Sequence, residues 1–158
     1  MSEEEKIKEA LTGKFDFLRD KVTVKRARRT FLEVSIDKFS EVFDYAIKQL
    51  NFSMLVTITG LDDGETFGII YHLANDNGSM LNIKTSIPKS DPALKTVTGY
   101  FPSAEMYERE MADLLGIKMN GLPEGNHYPL PDDWPAGEYP LRKDWQELKK
   151  LEEGCSNG

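Results

Sequence analysis

The sequence has very little sulfur and imidazole chemistry: one cysteine and two histidines among 158 residues. Cys155 has no second cysteine with which to form an intrachain disulfide, and it lies in the polar tail Gly-Cys-Ser-Asn-Gly. Such a chain cannot hold an iron–sulfur cluster on thiolates, and a typical zinc site needs more ligands than it offers. We therefore expect no cofactor and no metal ion in this chain.

Other common signatures are missing as well. No Gly-x-Gly-x-x-Gly loop, phosphate-binding loop or nucleophile elbow is present, so nucleotide binding and hydrolase chemistry have no support. No apolar run approaches the length of a membrane span, and the acidic start Met-Ser-Glu-Glu-Glu does not resemble a signal peptide. The expectation is an intracellular, soluble protein, or one that reaches a membrane only through partners.

The charge balance is acidic, with a formal net charge of -7, which makes nucleic acid a poor partner. One basic run, Lys25, Arg26, Arg28 and Arg29, interrupts this trend. Strand alternation predicts that Arg26 and Arg28 share one face, with Lys25 and Arg29 on the other. The run is interpreted either as a patch that docks an acidic partner or as a solvated strand rim.

Hydrophobic periodicity predicts an α+β fold. Residues 37–50 have the i, i+3, i+4 spacing of an amphipathic helix, with Asp37 as its N-cap. Three strand-like runs follow at residues 52–60, 65–74 and 80–87, joined by the turn dipeptides Asp63-Gly64 and Asn77-Gly78. They predict an antiparallel meander with two hairpins, packed by helices. His72 lies in the middle strand of this meander and is interpreted as a structural histidine. A short helix or turn is predicted to start at Pro92.

A second amphipathic helix is predicted between Ser103, as N-cap, and Gly116, as terminator. Arg109 lies one turn from both Glu105 and Asp113, which predicts an ion-pair ladder. Glu108 and Glu110 project about 160–200° apart around a helix, so they do not form a paired-carboxylate site. Structural ion pairs are the better interpretation of Glu108, Glu110 and Asp113.

The stretch after Gly116 combines repeated prolines with tryptophan, tyrosine and leucine, and is predicted to be extended. Either it docks on a partner through aromatic anchors, or it wraps over its own sheet. The cations of Arg142 and Lys143 beside Asp144 suit an acidic or carbonyl-rich surface. The predicted organisation is an α+β domain at 1–120, an extended docking segment at 121–145 and a charged, flexible tail at 146–158.

Two groups of residues make a family resemblance specific. The strings Glu-Arg-Glu at 108–110 with Asp-Leu-Leu-Gly-Ile at 113–117, and Pro-Leu-Arg-Lys-Asp at 140–144, resemble the signature of the 30 kDa subunit family of respiratory complex I. That family, to which the C subunit of NADH-quinone oxidoreductase belongs, includes counterparts in membrane-bound energy-converting nickel–iron (NiFe) hydrogenases and related ferredoxin-linked complexes. The resemblance covers roughly residues 28–145.

Within the family, this chain departs from the complex I pattern. Residues 121–126 lack the expected histidine and arginine pair, and residues 130–135 are more similar to the hydrogenase-type members. The resemblance therefore favours a membrane-bound hydrogenase or a related ferredoxin-linked complex. The C subunit of an NADH/quinone complex I proper is the alternative.

The resemblance implies a non-catalytic scaffold subunit on the cytoplasmic side of the cell membrane, held there through its complex. The implied partners are a large catalytic subunit, hydrogenase-like or of the forty-nine-kilodalton type of complex I, and a small Fe–S subunit. Fe–S clusters, and NiFe in the hydrogenase branch, are expected in those partners. The residues expected to serve docking are Glu108, Arg109, Glu110 and Asp113 on the helix, and Trp134, Leu141, Arg142, Lys143 and Asp144 in the extended segment.

Two rival hypotheses belong to other classes of protein. A small stand-alone enzyme would use Glu108, Glu110 or His127, although an exposed loop histidine is the simpler interpretation of His127. A free-standing adaptor would bind its partners transiently, without fixed stoichiometry.

Overall fold

The computed structural model describes residues 1–146, so the tail predicted at 146–158 lies outside the described residues except for Gln146. The helices are α1 Glu3–Lys14, α2 Ile36–Lys48 and α3 Ala104–Leu115. The strands are β1 Val22–Arg26, β2 Arg29–Glu33, β3 Met54–Asp62, β4 Thr66–Ala74, β5 Met80–Pro88, β6 Ala93–Lys95 and β7 Lys118–Asn120. The predicted α+β fold is confirmed.

The main sheet has five strands in the order β1-β2-β5-β4-β3. The predicted antiparallel meander forms β3, β4 and β5, and both turn glycines, Gly64 and Gly78, have positive φ. The sheet is wider than the meander because the β1–β2 hairpin joins it, with β2 parallel to β5. The resulting sheet is mixed rather than purely antiparallel.

Helices α1 and α2 cover one face of this sheet. The buried face of α2 contributes Phe39, Val42, Phe43 and Ala46 to the core, and alternate residues of β4 meet it. Stacked aromatic rings join the two layers, with the Phe39 and Tyr71 centroids 4.7 Å apart. Helix α2 begins earlier than predicted, because Ser35 takes the N-cap and Asp37 lies in the first turn.

The β1–β2 hairpin departs from simple strand alternation. A register shift at Lys25 and a tight turn at Arg28 place Arg26 directly opposite Arg29. The prediction that Arg26 and Arg28 share one face, with Arg29 on the other, is therefore wrong. The β-bulge adds a residue to one strand, so the side chains after it change face.

The prediction of a short helix or turn starting at Pro92 is also wrong. Residues Ala93–Lys95 form strand β6, which pairs in parallel with β7 beyond α3. Between these strands, α3 packs on the edge strand β3, where a Cβ atom on Gly60 would lie 2.7 Å from Leu115 Cδ1. This close contact places the C-terminal end of α3 beside the sheet, where the rest of the chain crosses it.

Candidate docking site

The segment at residues 121–145, here called the strap, lies against α3 and the sheet edge. The Leu141 N–H donates to the Leu114 carbonyl at 3.0 Å, and the Lys143 N–H donates to the Asp62 carboxylate at 2.8 Å. The strap therefore wraps over its own domain, as one of the two sequence interpretations proposed.

Polar side chains of α3 hold the first half of the strap. Arg109 pairs with Glu105 at 2.8 Å and donates to the Pro123 carbonyl at 2.6 Å. Asp113 does not complete the predicted ladder with Arg109. Its carboxylate instead lies 2.8 Å from Nδ1 of His127. Asp113 therefore contacts the strap, whereas the predicted ion pair with Arg109 would have joined two residues of the same helix.

Arg142 anchors the second half at the end of α3. Its Nε donates to the Leu115 carbonyl at 2.7 Å, one of the groups left unpaired at a helix C-terminus. The positive charge also complements the helix macrodipole. The guanidinium lies 5.2 Å from the Phe67 ring centroid and 4.6 Å from that of Tyr139, within cation–π range.

Asp62 joins the sheet to the strap through hydrogen bonds and is here called the clasp. Its side chain is almost fully covered and accepts from Lys89 Nζ at 2.7 Å, the Lys143 N–H and the Gly64 N–H. Lys89 bridges onward to Asp144 at 3.0 Å. Burial alone raises the pKa of Asp62, but the hydrogen bonds from Lys89 and the two N–H groups outweigh it and lower the pKa to about 2.

Substituting Asp62 by asparagine is expected to lower the free energy of unfolding by about 2 kcal/mol at pH 7. Because its folded pKa is depressed from 3.8 to about 2, the carboxylate stabilises the fold above pH 4. That contribution is lost as the pH falls towards 2. Urea unfolding of the wild type and D62N between pH 2 and 7 should show the two curves converging across this window.

The control for that experiment is Asp63→Asn. Asp63 is more exposed and pairs with Lys84 at 3.3 Å, so its removal is expected to change stability by less than about 0.5 kcal/mol. If D62N and D63N were equally mild, or the D62N difference persisted at pH 2, Asp62 would not be the clasp.

Glu108 differs from every other predicted docking residue because it is 0% exposed. Its carboxylate accepts from the Thr96 hydroxyl and from the Val97 N–H at 2.8 Å, which fixes the segment after β6 against α3. Burial raises the pKa of Glu108, against the opposing effect of these hydrogen bonds. The predicted ion pair is therefore wrong for Glu108. Glu110 is exposed and forms no ion pair with any residue of the described range 1–146.

Other strap residues offer apolar surface. Leu141 is 57% exposed, and Tyr128 is also exposed. Half-buried Trp134 and Trp145 lie 6.5 Å apart, and both indole N–H groups donate to Glu138. A mostly apolar cleft of about 360 Å³ opens between α3 and the strap, lined among others by Ala112, Ile117, Leu130, Trp134 and Tyr139.

The predicted site residues thus separate into three groups. The first group fastens the strap and consists of Arg109, Asp113, Arg142, Asp144 and the backbone of Lys143. The second is Glu108, which is buried. The third faces outward and consists of Glu110, Leu141 and part of the Trp134 side chain. Sequence reasoning missed Asp62 and Lys89, whose partners lie far along the chain. The only available signal was the Asp-Asp-Gly turn, which predicts a hairpin rather than a clasp.

The residues of the rival enzyme hypothesis do not come together as an active site. Glu108 is inside, Glu110 is on the surface, and His127 is paired with Asp113. His72 is a satisfied structural histidine, as predicted, since its ring nitrogens meet Thr59 and Asn82 at 2.9 and 2.6 Å. Within residues 1–146 no group of three or more His, Cys, Asp or Glu side chains is placed to hold a metal ion.

Comparison with known proteins assigns the family. The model of the family described as respiratory-chain NADH dehydrogenase, 30 Kd subunit, matches residues 32–150. The chain belongs to this family. The match spans both motifs on which the resemblance was based, so the resemblance to this complex I family is confirmed.

Curated relatives within this family come from different complexes. The C subunit of F(420)H(2) dehydrogenase from Methanosarcina mazei is 34% identical over 141 residues, which are 87% of this chain and 89% of that protein. The C/D subunit of NADH-quinone oxidoreductase from Pseudomonas fluorescens is 39% identical over 87 residues, which are 54% of this chain but 14% of that much longer protein.

Two solved structures share the fold. A chain of the membrane-bound sulfane sulfur reductase (MBS), an archaeal respiratory membrane complex, superposes with a TM-score of 0.82 at 28% identity. That likeness covers 96% of this chain and 90% of the other. A trypsin-resistant fragment of Nqo5 gives a TM-score of 0.65 at 27% identity and covers 77% of this chain and 98% of the fragment.

These relatives are named as parts of F(420)H(2) dehydrogenase, NADH-quinone oxidoreductase and MBS. Relatives of this chain are thus subunits of larger proteins, one of which, MBS, is described as an archaeal respiratory membrane complex. Among the residues described for this chain, none of the helices has the length and apolar character required to cross a bilayer.

Proposed function

We propose that this chain is a non-catalytic scaffold subunit in the hydrophilic arm of a membrane-bound electron-transfer complex. The outer side of the strap docks it on the large catalytic subunit. The observation that carries this proposal is the strap itself: its inner side is fastened by Arg109, Asp113 and Arg142, while Leu141 and Tyr128 remain exposed. Aromatic side chains are enriched at protein interfaces, and apolar side chains fill the core of such contacts.

The partner is a large subunit of the hydrogenase-like or forty-nine-kilodalton type, together with a small Fe–S subunit. In support, the Pseudomonas fluorescens relative is named a C/D subunit, one long chain of which this protein matches a small part. A covalent link between C-type and D-type units favours their contact in complexes where they are separate chains. Fe–S clusters, and NiFe in the hydrogenase branch, belong in these partners.

The complex itself is proposed to be a hydrogenase or a related ferredoxin-linked respiratory complex, placed on the cytoplasmic face of the membrane through its partners. The likeness to the MBS chain, which covers nearly all of this protein, favours the related branch over a hydrogenase proper. The C subunit of an NADH/quinone complex I is the second candidate, favoured by the likeness to the Pseudomonas fluorescens protein.

The docking proposal is tested by substituting Leu141 by aspartate in the tagged chain and purifying its complex from the native source. We expect the wild type to retain the large subunit, and L141D to lose it by about tenfold or more, because a docked strap would bury the unpaired carboxylate. Met54, 58% exposed on the edge strand β3, provides the matched control. Met54→Asp should leave the subunit set intact.

The outcomes separate the parts of the proposal. Normal retention of the large subunit by a folded L141D chain would overturn docking through the strap. A wild-type chain that purifies alone would overturn the scaffold role. Metal analysis of the intact complex then distinguishes the branches, since nickel with iron indicates a hydrogenase and iron alone indicates a sulfur-reducing or complex I-type assembly.

A further inference from the structure

The tip of the β1–β2 hairpin concentrates positive charge on an otherwise acidic protein. Lys25, Arg26, Arg28 and Arg29 lie within five consecutive residues of a chain whose net charge is -7. Lys25, Arg26 and Arg28 are exposed, and Arg29 is half-buried. None of the four forms an ion pair with a residue of the described range 1–146.

Two local features of this basic hairpin are unfavourable for the isolated domain. Arg28 has φ +59, in the left-handed region where glycine or asparagine is the usual residue. Arg26 is paired directly across the strands with Arg29, and like charges at opposed positions destabilise a sheet. Violations of local rules that the fold itself does not need are typical of functional sites.

The basic hairpin is nevertheless held in place by its neighbours. The Arg28 carbonyl accepts from the Met80 N–H at 2.9 Å and from Arg29 Nη1 at 3.1 Å. The Arg28 guanidinium also lies beside the next hairpin turn, 3.5 Å from where a Cβ atom on Gly78 would stand. The cations are therefore presented from a fixed backbone at the edge of the sheet rather than from a loose tail.

Edge strands are often protected from aggregation by a lysine or another charge. Protection of the edge strand alone does not require four cationic side chains within five residues, three of them arginine. The planar fork of arginine forms two-point hydrogen bonds with carboxylates and with phosphates alike. In an assembly of protein subunits, the anionic groups that can face this edge of the sheet are the carboxylates of a neighbour, which complement its positive charge. Aromatic stacking side chains, which single-stranded nucleic acids use, are absent from residues 22–30.

We propose that the basic hairpin is a second docking surface, which binds a carboxylate-rich surface of a neighbouring protein subunit. This inference rests on the proposed function, since it requires an assembly, but it uses the opposite sheet edge from the strap. The order of strands puts β1 at one edge and β3, which contacts α3, at the other. A subunit with two such surfaces holds two neighbours in a fixed relation.

Carbodiimide cross-linking of the purified complex tests this directly, because the reagent joins a lysine amine to a carboxylate only when the two are in contact. We expect Lys25 to be linked to an aspartate or glutamate of another subunit, identified by mass spectrometry of the cross-linked peptides. The Lys25→Arg variant keeps the charge but has no reactive amine, and the link should disappear while the complex persists.

A set of charge variants tests the arginines. The triple variant R26Q/R28Q/R29Q should lower retention of the cross-linked neighbour by about tenfold or more at about 0.3 M salt, where loosely held surface charges are screened. R26K/R28K/R29K, which keeps charge without the fork, should lower it severalfold. The matched control K6Q/K8Q/K14Q removes the same charge from exposed positions of α1 and should have no effect.

Three results would overturn the inference while leaving the strap proposal standing. The first is an intact complex in which Lys25 forms no cross-link to another subunit, and the second is a glutamine triple variant that retains every neighbour. The third is a lysine triple variant that retains its neighbours as well as the wild type does, in a complex that binds phosphatidylglycerol vesicles through these residues. Failure of the wild-type chain to purify with any partner would instead overturn the scaffold function on which the inference depends.

Discussion

Replacing Gly116 by alanine is expected to lower the free energy of unfolding by about 3 kcal/mol and to release the strap from α3. Gly116 ends α3 with φ +73, where an L-residue loses about 1 kcal/mol. The larger part comes from crowding, since a Cβ atom would stand 2.5 Å from the Tyr139 ring and 2.7 Å from the Arg142 guanidinium. Both groups would have to leave the positions that anchor the strap.

Calorimetry and hydrogen exchange together measure this effect. A loss of about 3 kcal/mol corresponds to a fall in Tm of about 6–12 °C for a domain of this size. Faster exchange of the Leu141 and Lys143 amides, which donate to Leu114 and Asp62, would report release of the strap.

Gly137→Ala is the matched control for Gly116→Ala. Gly137 also has positive φ, +82, but nothing lies within 4 Å of its would-be Cβ atom. It should therefore show the backbone effect alone, about 1 kcal/mol. If G116A were no more destabilising than G137A, close packing of the strap on the helix end would be contradicted.

Substituting Glu108 by alanine is expected to destabilise the domain by about 3 kcal/mol. The change leaves the buried Val97 N–H without an acceptor and opens a cavity between α3 and the segment after β6. Glu108→Gln keeps the shape and one acceptor oxygen, so it should cost about 1 kcal/mol or less at neutral pH. Chemical unfolding of both variants measures the difference.

The pH dependence of Glu108 has the opposite sign to that of Asp62. Because burial raises the folded-state pKa of Glu108 above the ordinary 4.5, the folded state holds this proton more tightly than the unfolded state. Stability is therefore lost as the pH rises from 4.5 through the folded pKa, and E108Q should lack this loss. Identical pH slopes for the wild type and E108Q would contradict the buried-acid assignment.

Local patterns predicted the elements whose determinants are local. The period of α2 follows from Phe39, Val42, Phe43 and Ala46, which are all buried, and the meander follows from two turn dipeptides. Gly116 ends α3 as predicted because its left-handed conformation is a property of the residue itself. Strand β6 was missed because three residues carry little pattern, and its partner β7 comes only after an intervening helix.

The sequence indicated some of the residues that hold the strap, but not Asp62 or Lys89 and not their arrangement. The two motifs of the family resemblance identified Arg109, Asp113 and Arg142, yet nothing in the sequence shows that one motif fastens the other. The decisive contact, from the Lys143 N–H to Asp62, joins residues 81 positions apart. Burial of Glu108 was equally unreadable, because its acceptor role depends on a backbone N–H supplied by a non-helical segment.

The contact between Asp62 and Lys143 also bears on when the strap can form. Closing a chain segment of that length has a high cost in conformational entropy, which contacts with structure already formed at both ends must offset. The meander and α3 therefore have to be in place before the strap can settle. A chain with a damaged core would not display the proposed docking face, so recruitment into the assembly would act as quality control on its newly made subunits.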